Sequence, residues 1–242
     1  MILEEFQEGI VDQAIVFHNT LNPLLWNNQQ LKPLIKLALL KIAKDFVTFI
    51  GIDFKIVDIT ISGSNAAYTY TPNSDLDLHI IADIPLAQAK LYKQLFDAKK
   101  NQYNYLHNFT VKGIDVELYV QDSRDTHHSA GIYSIKNSRW ISEPKVVKVR
   151  ISDQDVRRKV NNYLGKISSA LNTDDLDYIE SVQTSIKKLR QTGLDREGEF
   201  SVENLAFKVL RANGWIDRLR EHKYNVQSEI LSVENMKWKS IK

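Results

Sequence analysis

Two carboxylates two residues apart, Asp75 and Asp77, open a run that otherwise reads as a sheet strand, with Leu76, Leu78 and Ile80 alternating against Asp75, Asp77 and His79. Residues at i and i+2 of a strand point to one face, about 6.6 Å apart along the backbone, so the two acids can converge on shared cations. Paired divalent ions stabilise the attacking and leaving oxygens of an in-line displacement at phosphorus. Hard oxygen ligands and the absence of cysteine favour Mg2+ or Mn2+ over zinc. A third acid on a neighbouring strand would complete the site and take the proton of an attacking hydroxyl. Asp115 and Glu117 both lie on the matching face of the alternating stretch 109–121, and the spacing does not choose between them.

Gly63-Ser64 stands ten residues ahead of Asp75. Glycine permits unusual dihedrals and close backbone approach, and Ser64 is expected to cap a short helix through "NAAY", leaving amides and a hydroxyl to cradle phosphate oxygens. Asn73-Ser74 is the turn expected to deliver Asp75 into its strand. Gly63, Ser64, Asn73 and Ser74 are therefore the nucleotide-binding candidates. Three neighbours have blander readings. His79 shares the acidic face, where a strand histidine more often packs or hydrogen-bonds. His127-His128 reads as a polar loop, and Tyr68, Tyr70 and Tyr119 fit base stacking or plain packing equally.

The elements that must hold these residues follow from periodicity. Ile35, Leu39, Ile42, Phe46 and Phe49 recur at helical spacing behind Pro33. Val57, Ile59 and Ile61 alternate as a strand that runs into Gly63. Residues 85–107 read as a helix burying Leu91, Leu95 and Ala98; residues 109–121 read as one strand, and "KVVKVRI" as another. Helical signals follow: Val156 to Leu171 behind a Ser152 cap, Leu176 to Leu189 behind a Thr173 cap, and "VENLAFKVLRA" behind Ser201, stopped by Asn213-Gly214. An α/β part over 1–150, with amino-terminal helices, thus precedes a helical part over 151–242.

With 242 residues and 43% apolar content the chain can bury a substantial core. Thirty-two basic against 30 acidic residues exclude a nucleic-acid coat or an acidic solvating protein. The most apolar stretch, 34–52, is broken by Lys36, Lys41, Lys44 and Asp45, so no membrane span or signal peptide is expected, and a cysteine-free chain suits the cytoplasm. Charge is uneven, however. Between Lys136 and Lys166 nine Lys/Arg face three Asp/Glu, including Lys145, Lys148, Arg150, Arg157, Arg158 and Lys159. Such a segment can neutralise a triphosphate or track an RNA backbone, or be a solvated helix face. Lys187, Lys188, Arg190, Lys208 and Arg211 pose the same choice.

Gly63-Ser64, ten residues, then Asp75-Leu76-Asp77-Leu78 resembles the signature of the nucleotidyltransferase superfamily built on the DNA polymerase β-like palm. The order of elements over roughly 31–120 matches it too. The resemblance implies an α/β fold, a mixed sheet with flanking helices, followed by a carboxy-terminal helical domain. It implies that Asp75 and Asp77 are metal ligands, that Gly63 and Ser64 hold nucleotide phosphates, and that an acid in "GIDVELYV" is the third ligand. The stretches "LNPLLWNNQQLKPLIKLALLKIAKDF", "HHSAGIYSI" and "SVENLAFKVLRANGWIDRL" also look like segments of predicted nucleotidyltransferases of bacteriophages. The expected activity is Mg2+- or Mn2+-dependent transfer of a nucleoside monophosphate from an NTP such as ATP to a hydroxyl, with pyrophosphate released. RNA such as tRNA is the first acceptor expected, through segment 136–166. The alternatives are a small-molecule (aminoglycoside-type) nucleotidyltransferase, a nucleotide second-messenger synthase, and a non-catalytic nucleotide- or nucleic-acid-binding phage accessory protein.

Overall fold

The computed structural model describes residues 9–126, 129–146, 149 and 151–232. Two compact units emerge, one of residues 16–148 and one that joins residues 1–15 to 149–242. The helical unit therefore takes in described residues 9–15, where the sequence reading placed residues 1–150 together. The reason is packing: Ile10, Ala14 and Ile15 are buried in one cluster with Val156, Val160, Ile167, Ile186, Leu205 and Val209. In place of the expected amino-terminal helices, the described residues before Pro33 hold a single 3-10 turn, Ile10–Gln13, and a small hairpin of β1 (Trp26–Asn27) and β2 (Gln30–Leu31).

In the α/β unit, α1 (Pro33–Ile50) begins on a proline, which needs no hydrogen-bond partner there, and stops at Gly51 in the left-handed conformation. β3 (Lys55–Ser62) pairs antiparallel with β4 (Leu76–Asp83). α2 (Ala89–Leu106) follows a short 3-10 turn, Leu86–Gln88. The stretch 109–121, expected as one strand, is a hairpin of β5 (Thr110–Val111) and β6 (Ile114–Asp122). Lys112 and Gly113 both take positive φ, 57° and 78°, the requirement of a tight two-residue hairpin turn. β7 (Ile132–Ser134) and β8 (Arg139–Ser142) complete a six-stranded sheet of order β5-β6-β4-β3-β7-β8, in which β4 and β6 are parallel. Of the expected strand in "KVVKVRI", residues 147, 148 and 150 lie outside the described set, and residues 145, 146, 149 and 151 belong to no strand.

Register separates the sheet's two faces. Ile61, Leu78 and Leu118 form one row of partners, and Ile59, Ile80 and Val120 the next. They pack in one cluster with Leu39 and Phe46 of α1 and Phe96 and Tyr103 of α2. Full burial of each such aliphatic side chain contributes about 1.5–3 kcal/mol. The stripe of α2 is rotated from expectation: Leu91 is exposed, while Phe96 packs on Phe54 and Tyr92, and Tyr103 on Phe46, Phe49 and Phe109. Aromatic rings bury more area than the leucines at the expected positions, so they set the rotation. Val57 is also exposed, because a register shift between Ile56 and Asp58 breaks the alternation there.

The helical unit contains α3 (Asp153–Leu171), α4 (Leu176–Glu197), α5 (Val202–Ala212) and α6 (Trp215–Leu231). Ser152 and Ser201 cap α3 and α5 as the sequence suggests, accepting from the amides of Asp155 and Asn204. The cap of α4 is Asp175, whose carboxylate accepts from Tyr178 N, while Thr173 Oγ1 accepts from Asp175 N one step upstream. Among the described residues no helix is long and apolar enough to cross a membrane.

Candidate functional site

The polar face of the sheet carries the candidate residues. Ser62, Asp77 and Glu117 are successive partners across β3, β4 and β6, one row spanning three strands, and Thr60, His79 and Tyr119 form the row beneath. Neighbouring strands lie about 4.8 Å apart, so Asp77 and Glu117 leave the backbone side by side from one row. Both are half-buried, as is Asp75, which immediately precedes β4. Asp115 is exposed and sits opposite Thr110 in the edge hairpin, one residue before β6 meets β4 at the Leu76–Val116 pair. Register therefore brings Glu117, and not Asp115, level with Asp77.

Gly63 lies directly against this row. Its φ of 75° is one that side chains rarely adopt, and a β-carbon there would overlap Asp77 Oδ2. Ser64 opens a 3-10 turn over Ser64–Ala66 with no side-chain cap, a departure from the expected Ser64 cap. Its hydroxyl instead donates to Ser74 Oγ at 2.8 Å, so the two halves of the motif are tied directly. Ser74 Oγ in turn accepts from Thr71 N at 2.9 Å, and Ser74 N donates to Thr71 O, closing a turn with Pro72 and exposed Asn73 at its centre. That is the turn the sequence placed before Asp75.

Other residues of the site escaped the sequence reading. Gly63 N donates to Ser129 Oγ at 3.1 Å, and that hydroxyl donates onward to Gly131 O at 3.0 Å. Gly131 is itself pressed on the motif, since a β-carbon there would overlap the carbonyl oxygen of Ala66. Asn65, wholly buried, bonds to Asn22, Ser74 and Asp75. A lone Asn before two alanines gives no sequence signal for that role, because its partners are set by the tertiary fold.

The aromatic candidates are packed. Tyr119 stacks on His79 with centroids 4.9 Å apart and carries Lys100 Nζ 4.4 Å from its ring. His79 Nε2 is 3.0 Å from Ser62 Oγ, so His79 braces the row. Tyr70 stacks on His18, and Tyr68 packs against the apolar core. His127-His128 lies outside the described residues, as do Lys148 and Arg150.

Much of the basic segment is engaged locally. Arg157 pairs with Asp153, Arg158 with Asp155 and Lys159 with Glu203, at 3.3, 3.1 and 3.2 Å. Lys136 Nζ donates to Val57 O, Lys166 lies over Tyr163, and Arg190 over Phe207. Lys187 and Lys188 are exposed on α4. Glu203 is held below the usual carboxylate range: burial pushes it up, but its own backbone amide, Lys159 and Arg196 outweigh that.

The oxygen donors of Asp75, Asp77 and Glu117 are of the kind that suits Mg2+ or Mn2+, and the missing β-carbon of Gly63 leaves backbone close beside one of them. Among the described residues no three His, Asp or Glu side chains are grouped closely enough to hold an ion. No protein-family model matches the chain, and no curated protein does. Among solved structures the chain is similar to a STING-associated CdnE c-di-GMP synthase from Capnocytophaga granulosa, at 12% identity over 85% of each chain, with a TM-score of 0.24.

Proposed function

We propose that the chain is a metal-dependent nucleotidyltransferase that moves a nucleoside monophosphate from an NTP to a hydroxyl and releases pyrophosphate. The observation that carries this reading is the row Ser62–Asp77–Glu117, with Asp75 just ahead of it and the Gly63 backbone against the Asp77 carboxylate. Asp75, Asp77 and Glu117 would hold Mg2+ or Mn2+ once their side chains turn toward one ion. Bound there, the ions supply charge stabilisation to the entering and leaving oxygens. Glu117, level with Asp77, is the group of the two candidates placed to accept the acceptor hydroxyl's proton. The turn at Gly63-Ser64 and the Ser64–Ser74 tie hold the phosphate-binding loop at a fixed distance from the carboxylates.

RNA such as tRNA is the acceptor suggested by the charge of segment 136–166. That support is the charge count alone, and Arg157, Arg158 and Lys159 already have acidic neighbours. A second nucleotide, as in second-messenger synthesis, uses the same carboxylates. The deciding experiment incubates the protein with Mg2+ or Mn2+ and each labelled NTP, with tRNA, other RNA, aminoglycosides or no added acceptor. Metal-dependent pyrophosphate release that Asp77→Asn abolishes is expected. Release retained in that variant, or absent with every NTP, sinks the reading; where the label travels identifies the acceptor.

A further inference from the structure

Asn65 follows Gly63-Ser64 by one residue and is 0% exposed. Its side chain is fully engaged: Oδ1 accepts from Asn22 Nδ2 at 2.8 Å, and Nδ2 donates to the carbonyls of Ser74 and Asp75, each at 2.9 Å. Its backbone carbonyl accepts from Trp26 Nε1 at 2.8 Å. The amide's orientation follows from its partners. Two carbonyls can only accept, so the NH2 group must face them, and the oxygen must face Asn22. Asn22 is oriented in turn, because its Oδ1 accepts from Leu24 N at 3.0 Å. One buried amide thus fixes the peptide carbonyl of Asp75, the residue that leads the acidic strand, to the loop that holds Gly63. The direction in which a carboxylate leaves the backbone is set by the peptide planes on either side of it. Holding the carbonyl of Asp75 therefore restricts where its side chain can reach.

We propose that Asn65 is a positioning residue for divalent-cation binding at Asp75 and Asp77, acting through the Asp75 peptide; this rests on the nucleotidyltransferase reading above. Groups behind metal ligands typically cost 10–100-fold in metal affinity when removed, and Asn65 belongs at about the lower end because it holds backbone and not the carboxylate itself. The test is Mn2+ titration of the whole protein, read by the loss of the free-ion EPR signal, with thermal unfolding measured alongside. Asn65→Ala is compared with Asn204→Ala, which removes a similarly buried asparagine from the helical unit, one that donates to Glu199 O. About tenfold weaker Mn2+ binding is expected for Asn65→Ala and unchanged binding for Asn204→Ala, whatever their melting temperatures. Binding within about twofold of wild type in Asn65→Ala, or an equal loss in Asn204→Ala, overturns the positioning role. Wild-type protein that binds no Mn2+ overturns the underlying reading as well, and is seen before any variant is made. If Asn65→Ala does not fold, Asn65→Ser supplies at most one donor for the two carbonyls; an intermediate loss supports the role and wild-type affinity overturns it.

Discussion

Gly63 and Asp77 touch so closely that a β-carbon on the first would occupy the place of a carboxylate oxygen of the second. The loop glycine and the strand aspartate are thus one steric unit, although they stand 14 positions apart in the sequence. Replacing Gly63 by Ala would both strain a backbone at φ 75° and push Asp77 aside. Displacing a reacting group by about 1 Å costs roughly a hundredfold in rate. Gly63→Ala is expected to lower kcat/KM for pyrophosphate release by about that factor, with the sheet's circular dichroism retained; activity near wild type would show that Asp77 does not need its observed place.

The third carboxylate can be identified by comparing two variants. Glu117 is level with Asp77, whereas Asp115 is exposed in the edge hairpin. Glu117→Gln is expected to reduce transfer by at least about a hundredfold, the usual scale for a lost general base. Asp115→Asn is expected to stay within about threefold, since exposed side chains away from the row contribute little. Steady-state pyrophosphate release decides, and the reverse ranking would move the third ligand to Asp115.

Tyr103 joins α1 to α2 by donating its phenol proton to Asp45 Oδ2 at 2.6 Å. Burial, then the hydrogen bond and charge of Asp45, push its pKa well above the ordinary 10.0. A raised folded-state pKa means stability that is intact below pH 10 and declines as pH rises above it, because the unfolded chain ionises first. One tyrosine should therefore resist ionisation, read by absorbance at 295 nm, until the protein unfolds. Tyr103→Phe should remove that share of the alkaline decline, and at neutral pH cost about 0.5–1.5 kcal/mol in urea unfolding.

Glu203 gives the opposite pH dependence. Its pKa is lowered in the folded state, so it stabilises the protein above the ordinary carboxylate range, and that contribution is lost as pH falls through the folded value. Its side chain is 12% exposed and reaches both Lys159 and Arg196. Glu203→Gln is expected to lower stability by about 1–2 kcal/mol at pH 7. The gap from wild type should narrow as the pH is taken down through the carboxylate range; a constant gap in denaturant melts would rule out the charge as its source.

The strands and helices with strong periodicity were legible in the sequence, as were the caps Ser152 and Ser201. So was the placement of Asp77 and an acid of β6 in one row, because strand alternation is a local property. What was not legible depends on partners distant in the chain. Asn65 acquires its role from Asn22, 43 residues away, and Glu117 is distinguished from Asp115 only once β6 is set against β4. The rotation of α2 follows the packing of Phe96 and Tyr103 on Phe46, Phe49, Phe54 and Phe109, rings that its own pattern could not reveal. Lys112 could not announce its positive φ, since only the following glycine is a recognised turn signal.

The partition of the two cores has a consequence for how the chain comes together during synthesis. Every buried residue of the α/β core lies within residues 16–148, so that core is complete once its own strands and helices have emerged. Ile10, Ala14 and Ile15 leave the ribosome before that core, yet their partners on α3, α4 and α5 are made after it. The amino-terminal segment must therefore wait, its apolar side chains unburied, through translation of well over a hundred residues, which at about 5–20 residues per second lasts on the order of ten seconds or more. A segment made before the α/β core thus folds after it.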